Sequence, residues 1–189
     1  MYLDFNCDII KMKLKFRGKY SIMDILYDSC ICKDDTGNVL ISIDDINENE
    51  LSQNSLLTHC LAVVKIGNDY LLGWNKWRNR YEIFGGCIEH GETARECIVR
   101  ECREELGIQD ADLVYLGAMK FLLNSDYFSD EERIEYGGLY GIFLSDMTVE
   151  DIYRQINDRE EIGKLNLYSQ IKNKEPIATI DEKLLEFFV

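Results

Sequence analysis

An α/β fold, with a mixed β-sheet held between helices, is the class the sequence predicts. Three observations predict it. Short apolar runs bounded by turn residues recur along the chain. A long run of helix formers interrupts them at residues 92–106, and a second helical run closes the chain at 180–188. No internal repeat competes with this reading, and 189 residues with 46% apolar side chains suffice for one domain with a real core.

The elements follow in order. Residues 1–56 read as an N-terminal β extension, with strands at 24–32 and 38–44 joined by a turn at Asp34-Asp35-Thr36-Gly37. Polar residues 47–55 read as a loop to the main domain, residues 57–189. The extension adds a hairpin to that domain or, in a homodimer, covers a partner subunit. Strands are predicted at 59–66, 70–74 and 80–84, with a turn at Gly67-Asn68-Asp69. After the long helix, runs at 113–123 and 134–144 read as a strand pair around the loop 124–132. Residues 148–157 suit a short helix and 165–170 a strand or turn. The single proline, Pro176, precedes the final helix, which has Asp181-Glu182 in its first turn.

Composition narrows the partners. A net charge of −14 with no basic stripe argues against a duplex nucleic-acid binder. It fits a protein that recruits metal ions to meet phosphate. The seven cysteines, an odd number, read as reduced thiols, which predicts a cytoplasmic protein. Cys30-x-Cys32 raises zinc, but with two histidines in the chain, His59 and His90, no finger pattern forms. The start of the chain lacks the apolar core of a signal peptide. No run of 18 apolar residues exists, so no membrane association is expected.

The chemistry concentrates in residues 86–108, GCIEHGETARECIVRECREELGI. Ala94, Ile98, Cys102 and Leu106 form one apolar stripe at helical spacing, and Gly107 is a natural stop. Beside the stripe, Glu101, Glu104 and Glu105 stand within one turn of each other. Such carboxylates repel and raise each other's pKa, a cost that hard cations such as Mg²⁺ or Mn²⁺ remove. The bland alternative is a solvated acidic helix face. Gly86, Glu92, Arg100, Glu101, Glu104, Glu105 and Gly107 sit at offsets G-x5-E-x7-R-E-U-x-E-E-x-G-U, U being apolar. Seven such matches arise by chance with odds on the order of one in a million, which sets the bland alternative aside.

This pattern resembles the box of the Nudix hydrolases, which split diphosphate linkages with divalent metal. Two departures stand out: Cys102 where an aliphatic residue is usual, and Phe84 where proline usually precedes the paired glycines. The resemblance implies an α/β/α sandwich with a mixed sheet. It implies metal held by the Gly86 carbonyl and by Glu101, Glu104 and Glu105, with Glu104 the most sensitive ligand. Glu92 and Arg100 are expected to form a structural ion pair tying loop to helix. The catalytic base varies in the family between a box glutamate and an acid on a later loop. In Asp158-Arg159-Glu160-Glu161 the preferred candidate is Glu161, against the alternative of a solvated turn.

Specificity is expected outside the box. Tyr127 and Phe128, in the loop 124–132, are candidates to stack on a nucleobase or to anchor that loop. Trp74, Trp77, Arg78 and Arg80 lie just upstream of the box, with Trp74 expected to pack in the core and Arg80 to meet phosphate. ADP-ribose pyrophosphatases in the family usually carry a proline some way past the box, and this chain has none before Pro176. A proline-rich signature of the NADH-hydrolysing branch is also absent. Elimination favours a nucleoside triphosphate or related nucleotide. Two rivals are a silent nucleotide-sensing module, which commonly loses box glutamates, and an isopentenyl-diphosphate isomerase-like enzyme, which needs a placed Cys and Glu pair.

Overall fold

The computed structural model describes residues 30–125 and 129–189. Most of the predicted strand at 24–32 and the residues Tyr127 and Phe128 lie outside the described residues. Among the described residues nine strands form one mixed sheet, in the order β1-β2-β7-β8-β3-β4-β5, with β6 on β3 and β9 on β4. The strands are β1 (Cys32–Lys33), β2 (Val39–Asp44), β3 (Leu57–Ile66), β4 (Asp69–Asn75), β5 (Arg80–Glu82), β6 (Phe84–Cys87), β7 (Leu113–Leu123), β8 (Arg133–Leu144) and β9 (Ile162–Leu167). The β3–β8 pair is parallel and the other pairs are antiparallel. The helices are α1 (Glu48–Ser52), α2 (Ala94–Glu105), α3 (Val149–Gln155), α4 (Tyr168–Ile171) and α5 (Thr179–Leu184), the last followed by a 3₁₀ turn at Leu185–Phe187.

Two cores flank the sheet. On one face α2 buries Ala94, Cys97, Ile98, Cys102 and Leu106 against Cys60, Ala62, Val64 and Tyr140. On the other, α5 buries Ile180 and Leu184 against Val63, Leu72, Met119 and Leu139. Sheet residues of opposite orientation, such as Ala62 and Val63, supply opposite cores, as the period of two requires.

The β1–β2 hairpin is part of this sheet, because β2 pairs with β7 from Val39↔Leu122 to Asp44↔Ala118. Asp34 builds its turn: Oδ1 accepts from the N–H groups of Thr36 and Asn38 at 2.9 and 2.8 Å. One expectation fails. Residues 47–55, read as a loop, contain α1, whose N-cap Asn47 accepts from the Glu50 N–H at 3.0 Å. An Asn followed by acidic residues carried that signal, but five residues are too few to show a helical period.

Strands β3 and β4 diverge, and this creates the site. They pair only from Val64↔Leu71 to Ile66↔Asp69. Beyond that the chain enters the gap between them. β5 climbs the inner edge of β4 to Gly73↔Glu82, and β6 descends the inner edge of β3 from Ala62↔Phe84 to His59↔Cys87. The predicted strand at 80–84 is therefore broken at Ile83, the apex where the chain changes partner.

Candidate active site

Helix α2 starts on a capping box: Thr93 Oγ1 accepts from the Glu96 N–H, and Glu96 Oε2 accepts from the Thr93 N–H at 2.9 Å. It stops at Gly107, whose φ of +70° is left-handed and whose position admits no side chain, since a Cβ would lie 2.2 Å from the Gln155 carbonyl oxygen. Between these ends, Cys97, Glu101 and Glu105 form a row beside the apolar stripe and all three are buried. The two carboxylates therefore face the sheet at the paired glycines.

Glu105 is 6% exposed, and its Oε2 accepts a 2.7 Å hydrogen bond from the Gly85 N–H. Glu101 lies against Gly86, where a Cβ would sit 2.3 Å from its Oε1, so only glycine admits this contact. Glu104 stands apart, with its side chain 53% exposed. The three carboxylates predicted on one face thus divide into a buried pair and one solvent-facing member. Burial holds the carboxyls of Glu105 and Glu101 above the usual range, Glu105 well above it.

Arg100 ties these parts together. It donates to Glu92 through Nε at 2.8 Å and Nη2 at 3.1 Å. Its Nη1 meets Glu101 Oε1 at 2.6 Å and Glu104 Oε2 at 3.3 Å. The bond from Arg100 holds the Glu92 carboxyl below its usual range. Glu92 in turn accepts from the Glu89 N–H at 2.9 Å, which fixes the loop before the helix.

The later acidic loop docks on the end of α2. The N–H groups of Asn157 and Asp158 donate to the Glu104 carbonyl at 3.1 and 2.9 Å, and Asn157 Nδ2 donates to the Arg103 carbonyl at 2.7 Å. These bonds satisfy carbonyls that a helix end leaves open. Asp158 Oδ1 then accepts from the N–H groups of Glu160 and Glu161. Glu161 Oε1 accepts from Asn75 Nδ2 at 2.7 Å, and burial raises its carboxyl above the usual range.

A cavity of about 340 Å³, within the roughly 300–1,000 Å³ typical of ligand pockets, brings Glu105 and Glu161 together, whereas Gly86, Glu101 and Glu104 are not among its lining residues. Gly85, Glu105 and Glu161 line it together with Asn75, Arg78, Arg80, Glu82 and Asp181. Arg78 Nη1 and Arg80 Nε each donate to a different oxygen of Glu82 at 2.8 Å. The Arg78 side chain is 59% exposed and that of Arg80 is 30% exposed. His59 and Phe121 form an aromatic wall with ring centroids 5.1 Å apart. Trp74 packs edge-on to Tyr81 at 5.1 Å, whereas Trp77 is 65% exposed and is not among the cavity residues. Sequence reading did not single out Asn75, His59, Phe121 and Asp181 as site residues, because their places at the cavity come from contacts between distant segments and not from local spacing.

Among the described residues, no three His, Cys, Asp or Glu side chains converge as a ready-made metal cage. The donor set nevertheless fits a hard divalent cation: buried carboxylate oxygens, the Glu101 carboxylate seated on Gly86, and one cation, Arg100, for several acids.

The NUDIX domain model matches residues 59–186, about two thirds of the chain. The chain belongs to the NUDIX family. A Bacillus subtilis (strain 168) protein described as a candidate 8-oxo-dGTP diphosphatase, YtkD, is 35% identical over 83 residues, covering 41% of this chain and 52% of that protein. A Pseudomonas aeruginosa NAD-capped RNA hydrolase, NudC, is 42% identical over 41 residues, 22% of this chain and 15% of NudC. The chain thus spans about half the length of the first relative and far less of the second. In solved structures the same fold occurs in the B. subtilis pyrophosphohydrolase BsRppH, with a TM-score of 0.56 and 20% identity over 79% of this chain and 85% of that one. It occurs also in the E. coli dihydroneopterin triphosphate pyrophosphohydrolase, with a TM-score of 0.54 and 16% identity over 70% and 94%. As a NUDIX domain the chain has the mixed α/β architecture of these structures. Among its described residues no helix is long and apolar enough to cross a membrane.

Proposed function

We propose that this NUDIX protein is a metal-dependent hydrolase that cleaves a diphosphate linkage in a nucleotide, with a nucleoside triphosphate-like substrate favoured. The observation that carries the reading is the buried Glu101–Glu105 pair packed on Gly85 and Gly86, with Glu105 and Gly85 at the wall of the cavity. Among the described residues Glu105 has no ion pair, and Glu101 shares the single Arg100 with Glu92 and Glu104; such an excess of buried acid costs stability, and a cation-binding role accounts for that cost.

Mg²⁺ or Mn²⁺ would be held by the Gly86 carbonyl, Glu101, Glu104 and Glu105. When bound, divalent ions neutralise charge on phosphate oxygens and make water more acidic. Arg78 and Arg80, each anchored on Glu82, would bind the anionic end of the substrate. Glu161, oriented by Asn75, would accept a proton from the attacking water as its oxygen bonds to phosphorus and the bridging P–O bond breaks. The Phe121–His59 wall would take the apolar part of the nucleotide. The description of YtkD as an 8-oxo-dGTP diphosphatase supports a triphosphate substrate.

The test is a panel of nucleoside diphosphate and triphosphate derivatives, with Mg²⁺ or Mn²⁺, reading released phosphate or pyrophosphate. Turnover of at least one nucleoside triphosphate is expected. Nucleotide binding without turnover would instead indicate a sensing module.

A further inference from the structure

Asp181 stands at the apex of the divergent strands. Its Oδ2 accepts from the Ile83 N–H at 2.9 Å, across 98 residues of sequence. Ile83 is where the chain leaves β4 and joins β3, so its N–H has no ladder partner there. A buried amide left without an acceptor is costly. Neighbouring bonds belong to the same attachment: the Tyr81 N–H donates to the Pro176 carbonyl at 2.8 Å, and the Ala178 N–H to the Tyr81 carbonyl at 2.9 Å. The segment before α5 therefore runs along β5, and Asp181 closes the run.

An acidic residue in the first turn of a helix ordinarily serves that helix. Here the N-cap of α5 is Ala178, which gives no side-chain cap, and the Asp181 carboxylate is engaged on Ile83. Two residues further on, the Gly85 N–H is held by Glu105. Residues 83–85, which lead into Gly86, are thus pinned by two carboxylates, one from α5 and one from α2. Both acids line the same cavity.

We infer that Asp181 is a positioning residue: by holding the Ile83 amide it fixes the path of the Gly85–Gly86 backbone on which Glu105 and Glu101 rest. The inference deepens the proposed metal-dependent hydrolase and rests on that reading. Asp181 would touch neither metal nor reacting phosphorus. Its effect would pass through the placement of the glycine backbone.

The test compares Asp181→Ala, Asp181→Asn and Tyr168→Phe. Asn keeps an acceptor oxygen for Ile83. Tyr168→Phe removes the 2.7 Å bond from Tyr168 to Glu182 and so loosens the same helix without touching Ile83. Two quantities are read in the 189-residue chain: amide hydrogen exchange of residues 81–87, and Mn²⁺ affinity. Asp181→Ala should speed exchange at Ile83 and weaken Mn²⁺ binding about 10–100-fold, the range for removing a group that supports metal ligands. Asp181→Asn should restore both towards wild type, and Tyr168→Phe should leave both unchanged. Wild-type exchange and Mn²⁺ affinity in Asp181→Ala would overturn the inference, as would equal losses in Tyr168→Phe. If wild-type protein binds no Mn²⁺, the hydrolase reading fails, while the exchange at Ile83 still decides whether Asp181 holds the apex.

Discussion

The backbone N–H of Gly85 donates to Oε2 of Glu105 at 2.7 Å, so a buried acid of α2 is locked to the strand it faces. The bond needs an acceptor oxygen, not a charge. Burial holds the Glu105 carboxyl well above the usual range, which marks its ionised form as costly without a cation. Glu105→Gln keeps the acceptor and removes the charge. In EDTA this variant should melt at or above the wild-type temperature, and the rise in Tm that Mn²⁺ gives wild type should shrink. A Tm gain with Mn²⁺ equal to that of wild type would remove Glu105 from the ligand set.

Gly107→Ala should destabilise the fold. The position has φ +70°, and a Cβ there would sit 2.2 Å from the Gln155 carbonyl oxygen. Strain and overpacking of this kind cost about 1–3 kcal/mol. That corresponds to a Tm lower by roughly 2–12 °C for a chain of this size. A thermal melt at neutral pH checks it, and an unchanged Tm would show that the α2–α3 contact yields easily.

Glu161→Gln should lower kcat while leaving KM and metal affinity near wild type, because Glu161 is assigned to the chemical step. Steady-state kinetics on the best substrate separates the outcomes. A raised KM with intact kcat would mean that the acidic loop binds substrate. Wild-type kinetics would return the base to the box helix.

His59 gives the stability curve an acid limb. It is half-buried beside Phe121, and desolvation lowers its pKa from 6.5 to about 4. A base with a depressed folded-state pKa contributes stability that is full above 6.5 and is lost as pH falls towards 4. The raised carboxyls of Glu101, Glu105, Glu161 and Asp181 act in the opposite direction, so the comparison must be between variants. The Tm of His59→Phe, relative to wild type, should rise as pH falls from 6.5 to 4. A constant difference across that range would show that His59 does not titrate there.

Much of the fold is legible locally. The stripe Ala94, Ile98, Cys102, Leu106 repeats within one helix, and all four residues are buried where the period puts them. The strands at 113–123 and 134–144 carry their own apolar runs and turn signals, and they pair as β7 and β8. The site is less legible, because its geometry comes from contacts across the chain. Asn75 orients Glu161 across 86 residues, and Asp181 reaches Ile83 across 98. Glu104 shows a subtler limit. Its spacing groups it with Glu101 and Glu105, yet on a helix of 3.6 residues per turn it turns outward while they turn in.

Metal dependence of turnover tests the central claim most directly. The purified protein is assayed on its best nucleoside triphosphate in EDTA, then with Mg²⁺ or Mn²⁺ restored in excess. Activity should vanish in EDTA and return with either ion. Full turnover in chelator, with no residual metal by elemental analysis, would contradict the assignment of Gly86, Glu101, Glu104 and Glu105 as a cation site.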